Sequence, residues 1–203
     1  MKKLYYIHDP MCSWCYAFSK IIQRLEDIIK NDIEVIYVSA GLASHSDNEM
    51  PKHMQNYIIN TWNTINSQLG IDFNFDFWSK NKAKRSTYLS CQACIVARKY
   101  DKEKQMIKAI QKAYYLNAKN PSNIDILCEC ASKVGIDKTK FQKELISKEI
   151  ISRFKNDLLL KEKLNINSFP SLILFANNNY YKISIDYKDE NIILDQINNI
   201  IEK

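Results

Sequence analysis

The chain has 203 residues, of which 46% are hydrophobic and 26% charged, with a formal net charge of +6. That is ordinary soluble globular composition, with enough length to bury a substantial core as one domain or as a domain with an insertion. The excess charge comes from lysines scattered through Asn- and Ile-rich sequence, with no basic block interleaved with aromatics, so nucleic-acid binding is not expected.

Lys2 and Lys3 are followed by only four apolar residues before His8, Asp9 and Pro10. That run is too short for a secretory signal, and no segment approaches a membrane span, so a cytoplasmic protein without membrane partners is expected. Six cysteines in a reducing compartment then read as free, catalytic or metal-bound thiols and not as a disulfide framework.

Residues 4–7 read as a strand, and Ile21, Ile22, Leu25, Ile28 and Ile29 form an apolar stripe at helical spacing. Between them runs Asp9-Pro10-Met11-Cys12-Ser13-Trp14-Cys15-Tyr16-Ala17-Phe18, which places Cys12 and Cys15 at the N-terminus of the helix. There the first cysteine lies over unpaired backbone N–H groups and the positive end of the helix dipole, which favour thiolate over thiol. The second is one turn on and on the same face, within reach of a small disulfide ring. A C-x-x-C so placed is a redox dithiol signature, the other reading being half of a zinc site. Residues 33–38 read as a second buried strand ended by Gly41. Strand, helix and strand with a parallel crossover put ligand chemistry at the carboxyl ends of the strands, where Cys12 lies.

From Pro51 the pattern turns helical, with Met54, Ile58, Trp62, Ile65 and Leu69 forming a stripe stopped by Gly70. Residues 71–77 alternate with period two, but a lone strand among helices has no partner. An extended connection laying phenylalanines on an apolar surface is expected instead. Helices are expected over 87–100 and 103–117, the latter turning Met106, Ile110, Ala113 and Tyr114 inward. Another begins after Pro121, with Ser122 and Asp125 at capping-box-like spacing; it buries Cys128 and turns Cys130 toward the exposed side. Asp137 caps a short helix, and a further helix covers 149–164. Residues 171–175 are a buried strand, an Asn177-Asn178-Asn179 turn leads into a strand over 180–185, and a final helix carries Ile193, Ile197 and Ile200.

The order is βαβ, a helical block, then ββα, with no internal repeat. Four stretches carry a resemblance: Asp9 through Cys15; Cys91-Gln92-Ala93 through Ala97-Arg98; Gln111 through Tyr115 with Ala118-Lys119; and Asn167-Ser168-Phe169-Pro170-Ser171-Leu172. In them the chain resembles the DsbA-like thioredoxin-fold proteins, most closely their FrnE-like branch of predicted protein-disulfide isomerases. The resemblance implies an α/β thioredoxin fold with an inserted all-helical domain. The thioredoxin-like domain would be discontinuous, residues 1–45 and 150–203, and the insertion residues 46–149. It also implies thiol–disulfide exchange on protein or glutathione disulfides, with Cys12 attacking, Cys15 resolving and no cofactor. Pro170, which the residues alone allow as a trans strand start or a cis turn, would be cis and form with Phe169 a shelf for substrate beside Cys12. Trp14 would be an apolar contact for peptides or a packed cap.

Ser13 and Trp14 add no positive charge between the cysteines, so stabilisation of the thiolate falls mainly to the helix end. His8, at the end of the first strand, reads either as a charge tuning that thiolate or as a histidine bonded to backbone. His45 and His53 read as surface residues. Cys91 and Cys94 lie inside a helix and read as small buried hydrophobes. The helical block is expected to pack over the C-x-x-C face, with Trp62, Phe73 or Phe75 in an apolar wall. Two competing functions use the same residues differently. Kappa-type glutathione transferases and 2-hydroxychromene-2-carboxylate isomerases share the insertion but lack the dithiol, so the intact pair counts against them. A zinc module on Cys12, Cys15, Cys91 and Cys94 would spread its ligands over an unusually long span, so no metal is expected. The direction of exchange and the oligomeric state are unspecified by these residues.

Overall fold

The computed structural model describes residues 2–202. Its centre is a four-stranded sheet in the order β2-β1-β3-β4, made of β1 (Lys3–His8), β2 (Glu34–Ser39), β3 (Ser171–Ala176) and β4 (Asn179–Ile183). β1 runs parallel to β2 and antiparallel to β3, and β3 and β4 form an antiparallel hairpin. The parallel pair needs a crossover, supplied by α1 (Ser13–Ile29). The hairpin closes through Asn177 and Asn178, both at positive φ (49° and 62°), a conformation asparagine tolerates and a two-residue hairpin of this hand requires.

Alternation along β1 sets the two faces of the sheet. Leu4 and Tyr6 join Phe18, Leu25 and Leu174 in a core closed by α1 and by α9 (Glu190–Ile201). Ile7 points the other way, packing with Val38, Ala40 and Ile173 under Leu160 of α8 (Lys148–Lys163) and Leu164 just past its end. Between β2 and α8 lie α2 (Lys52–Leu69), the short α3 (Phe77–Lys80), α4 (Tyr88–Arg98), α5 (Glu103–Gln111), α6 (Ile124–Lys133) and α7 (Lys138–Leu145). α5 runs on into a π-helical turn, Lys112–Leu116. These helices share one core, centred on Trp62, Cys94, Ile95, Met106, Ile110 and Tyr115, each fully buried. Burial of each large apolar side chain there contributes about 2 kcal/mol.

Most elements lie where the sequence places them, and the departures have identifiable causes. Residues 71–77 form no strand, as expected, but the connection stops at 76 because Phe77 opens the short α3, and Phe73 stacks on Trp62 with ring centroids 5.1 Å apart. Asp137 does cap its helix, accepting from Lys140 N–H at 2.8 Å. Ser122 does not: its hydroxyl donates to the Ser86 carbonyl at 2.8 Å, and the N-cap of α6 is Asn123. Cys130 is 1% exposed, not turned outward, because α6 is enclosed by α4, α5 and α7.

A charged cluster ties the helical block to β2. Arg98 donates to Glu103 at 2.7 Å, to Asp157 at 3.0 Å and to the Tyr37 carbonyl at 3.0 Å, while Asp157 accepts from Ser39 N–H at 2.9 Å. One guanidinium thus joins α4, α5 and α8 to the strand beside the crossover.

Candidate active site

β1 ends at His8, and the chain turns through Asp9, Pro10 and Met11 into α1. Cys12 is the N-cap: its backbone is extended (φ −80°, ψ 121°) and its Sγ accepts from Cys15 N–H at 3.4 Å. A sulfur thus takes the place that a serine or aspartate oxygen usually fills, over the unpaired N–H groups of the first turn. Cys12 is 7% exposed and Cys15 0%, and both are free thiols. Burial pushes the Cys15 thiol well up, and its hydrogen bond with Cys12 adds to the effect.

The chain returns to this point 157 residues later, where the Cys12 thiol donates to the Phe169 carbonyl at 3.7 Å. The Phe169–Pro170 bond is cis, Pro170 is buried and Phe169 half-buried. Trp14 is half-buried with its ring 5.0 Å from that of Tyr187, beside an open groove of about 350 Å³ that Leu69 and Ile185 also line. Cys12, Cys15, Trp14, Phe169 and Pro170 therefore gather at one end of the sheet.

The helical block closes over the same turn. Trp62 Nε1–H donates to Ser13 Oγ at 2.9 Å, Phe73 packs edge-on against Tyr16 at 5.5 Å, and Met11 belongs to the block's core. Phe75 reaches Trp62 but remains 39% exposed.

Asp9, to which sequence reasoning gave no role, organises the loop before Cys12. Its Oδ1 accepts from Met11 N–H at 2.8 Å; its Oδ2 accepts from Leu42 N–H at 2.7 Å and Thr87 Oγ1 at 2.5 Å, with Cys91 Sγ at 3.6 Å. Burial raises its carboxyl above the usual aspartate range, and the donors from Thr87, Leu42, Met11 and Cys91 oppose that rise. The only local signal was the Asp-Pro turn itself. Cys91 is thus a core thiol that also touches the loop, and Cys94 is fully buried behind it.

His8 fits neither sequence-based reading. It is fully buried, neither ring nitrogen has a hydrogen-bond partner, and burial, with the nearby Arg98 charge, lowers its pKa to about 3. It is therefore neutral at physiological pH, stacked on Tyr6 at 5.0 Å and edge-on to Tyr37 at 5.6 Å. His45 and His53 are exposed. Among the described residues no three His, Cys, Asp or Glu are grouped to hold a metal ion, and no helix is long and apolar enough to cross a membrane.

A βαβ unit with a dithiol at the crossover-helix N-cap, completed by an antiparallel hairpin and a last helix, defines a thioredoxin-fold protein with a C-x-x-C site. The family model described as thioredoxin matches residues 5–193, and the chain belongs to that family. Two solved structures superpose over nearly the whole chain. A candidate protein disulfide isomerase from Nitrosomonas europaea is 21% identical with a TM-score of 0.88, covering 99% of this chain and 98% of that one. The cytosolic disulfide reductase DsbM from Pseudomonas aeruginosa, solved also with GSH, is 17% identical with a TM-score of 0.80, covering 99% and 100%. At these identities the likeness establishes the fold. A curated relative, the ClpXP adapter protein SpxH of Halalkalibacterium halodurans, is 21% identical over 182 residues, 87% of this chain and 59% of the relative. The chain thus spans about three-fifths of the length of the curated relatives it matches.

Proposed function

We propose that the protein is a thiol–disulfide oxidoreductase or isomerase in which Cys12 attacks and Cys15 resolves. The observation that carries this reading is the asymmetry of the pair: Cys12 caps the helix with 7% of its surface still open to solvent, and Cys15 lies at 0% one turn inside. As a thiolate, Cys12 attacks a substrate disulfide; a Cys12–substrate S–S bond forms, the substrate bond breaks, and one substrate thiolate leaves. Cys15 then loses its proton and attacks Cys12 Sγ, forming the Cys12–Cys15 disulfide and releasing the second substrate thiolate. Two electrons pass from dithiol to substrate, and the reverse sequence oxidises a substrate dithiol. In isomerisation a substrate thiol, not Cys15, displaces Cys12.

On this reading Phe169 and Pro170 support the substrate backbone beside Cys12, and Trp14 offers it an apolar contact. Substrates are protein or glutathione disulfides in the cytoplasm, a choice supported by the cytosolic reductase DsbM and its structure with GSH. Within the family we place the chain in the FrnE-like branch, with residues 46–149 as the insertion and residues 1–45 with 150–203 as the redox domain. The intact dithiol argues against a kappa-type transferase or a 2-hydroxychromene-2-carboxylate isomerase. The test is insulin reduction and reduction of a glutathionylated peptide by wild type, Cys12→Ser and Cys15→Ser. Loss of activity in Cys12→Ser, with a trapped mixed disulfide in Cys15→Ser, is expected. Equal activity of Cys12→Ser and wild type would overturn the reading.

A second reading, binding without exchange, is favoured by the match to a ClpXP adapter. It predicts that ClpX is captured equally by wild type and by Cys12→Ser.

A further inference from the structure

We infer that Trp62 is a positioning residue for the dithiol, acting through Ser13 to hold the first turn of α1 in the geometry of the reduced pair; the inference rests on the exchange reading above. Ser13 stands between Cys12 and Cys15, and its Oγ accepts from Trp62 Nε1–H at 2.9 Å across 49 residues. The donor is rigidly placed. Trp62 is 0% exposed, its ring stacks on Phe73 at 5.1 Å, and it meets Tyr114 edge-on at 5.6 Å and Tyr115 edge-on at 5.5 Å. An indole enclosed on so many sides cannot turn its N–H elsewhere without repacking the core.

A second contact holds the same turn. Tyr16, whose N–H donates to the Cys12 carbonyl at 2.9 Å, stacks on Tyr115 at 4.4 Å and 13°. Tyr115 sits on the π-helical turn Lys112–Leu116, which brings the consecutive residues Tyr114 and Tyr115 into the core together. Its hydroxyl is buried without a hydrogen-bond partner. Burial pushes the Tyr115 phenol up, and Ser13 is the neighbour that opposes the rise. Ser13 therefore lies between two buried groups of the helical block, one donating to it and one waiting beside it.

The bond matters to chemistry because Ser13 is part of the ring that a Cys12–Cys15 disulfide closes. In the present state Cys12 Sγ accepts from Cys15 N–H and both thiols are free. Closing the ring turns Cys12 Sγ from that cap toward Cys15 Sγ, and Ser13 and Trp14 are the backbone that links the two across the ring. The Trp62 bond ties Ser13 to the arrangement that accompanies the free thiols, and on this inference it favours the dithiol over the disulfide. Removing it shifts the equilibrium toward the disulfide and makes the pair more reducing.

The experiment measures the dithiol–disulfide equilibrium constant against glutathione for wild type, Trp62→Phe, Ser13→Ala and the double variant. Trp62→Phe keeps an aromatic ring in the core and removes the N–H; Ser13→Ala keeps the core intact and removes the acceptor. Each single variant is expected to favour the disulfide about fivefold, the worth of one neutral hydrogen bond, or about 20 mV for a two-electron couple. The double variant is expected to match the singles and not their product, because both remove the same bond. Single variants within twofold of wild type, or effects that multiply in the double variant, overturn the inference while leaving the exchange reading in place. A wild-type chain that never forms the Cys12–Cys15 disulfide overturns both.

Discussion

Gly41 lies directly against Tyr88: a Cβ added to it would stand 2.6 Å from Tyr88 Cε1 and 3.0 Å from Phe154 Cζ, at a φ of +60°. The next residue, Leu42, donates its N–H to Asp9, so this contact and the loop before Cys12 are mechanically joined. Gly41→Ala combines the left-handed backbone cost with a clash against a core ring, and a loss of about 2 kcal/mol or more is expected. Urea unfolding measures it. An unchanged midpoint would show that the loop can move away without consequence.

The charged cluster on Arg98 gives a second prediction. Arg98→Met leaves Asp157 and Glu103, with side chains 12% and 13% exposed, without their shared cation. Removing one partner of a buried pair typically costs 3–5 kcal/mol; here about 2–3 is expected, because the Arg98 side chain is itself 32% exposed. Arg98→Lys, which restores charge but not the fork that reaches Glu103, Asp157 and the Tyr37 carbonyl together, should recover only part of the loss. Full recovery by lysine in thermal unfolding would mean that charge alone matters.

What the sequence revealed, and what it hid, divides along distance. The Cys12 cap, the βαβ unit and the β3–β4 hairpin are local patterns, and each is read from a period or a turn residue without knowing the fold. The placement of Phe169 and Pro170 beside Cys12 spans 157 residues and came only through family resemblance. Nothing local announces that Trp62 bonds Ser13, or that Asp9 gathers Thr87 and Cys91 from 78 and 82 residues away. Cys130 was misread because a one-sided helix was assumed, whereas α6 is packed by three others. His8 was misread because both alternatives supposed a polar partner, and its aromatic neighbours supply none.

That histidine sets a pH dependence. Its folded pKa of about 3 lies below the ordinary 6.5, so between these values the unfolded chain binds a proton that the folded chain refuses. Stability from this group is complete above about 6.5 and is lost as pH falls toward 3. Arg98 adds to the effect. Asp9, the next residue, works in the opposite sense: its raised carboxyl favours the fold at low pH and loses that contribution as pH rises through its folded value. His8→Phe isolates the histidine. From pH 7 to 4.5, wild type should lose roughly 2–3 kcal/mol more than the variant. Parallel pH profiles for the two proteins would mean that His8 takes up its proton in the folded state.

The last prediction concerns the six thiols, all buried but not equally reachable. Cys12 keeps 7% of its surface at the end of the sheet; Cys15, Cys91, Cys94 and Cys128 keep none, and Cys130 keeps 1%. Alkylation needs a thiolate in contact with the reagent, so position and protonation act together. Burial raises Cys15, Cys91 and Cys94 well above the ordinary thiol range, and Cys130 to about 11. At neutral pH these are protonated and enclosed, and they react only when the structure opens. With iodoacetamide in the native state one equivalent should be taken up, at Cys12, and six after denaturation. Cys15 should lag by at least about a hundredfold, the protection given by a local opening free energy of ~3 kcal/mol. Cys12→Ser should then lose the fast equivalent while its unfolded chain takes up one fewer in total. Peptide mapping of the labelled protein decides the matter. If Cys15 carries label as quickly as Cys12 in the folded chain, the attacking and resolving roles assigned here are wrong.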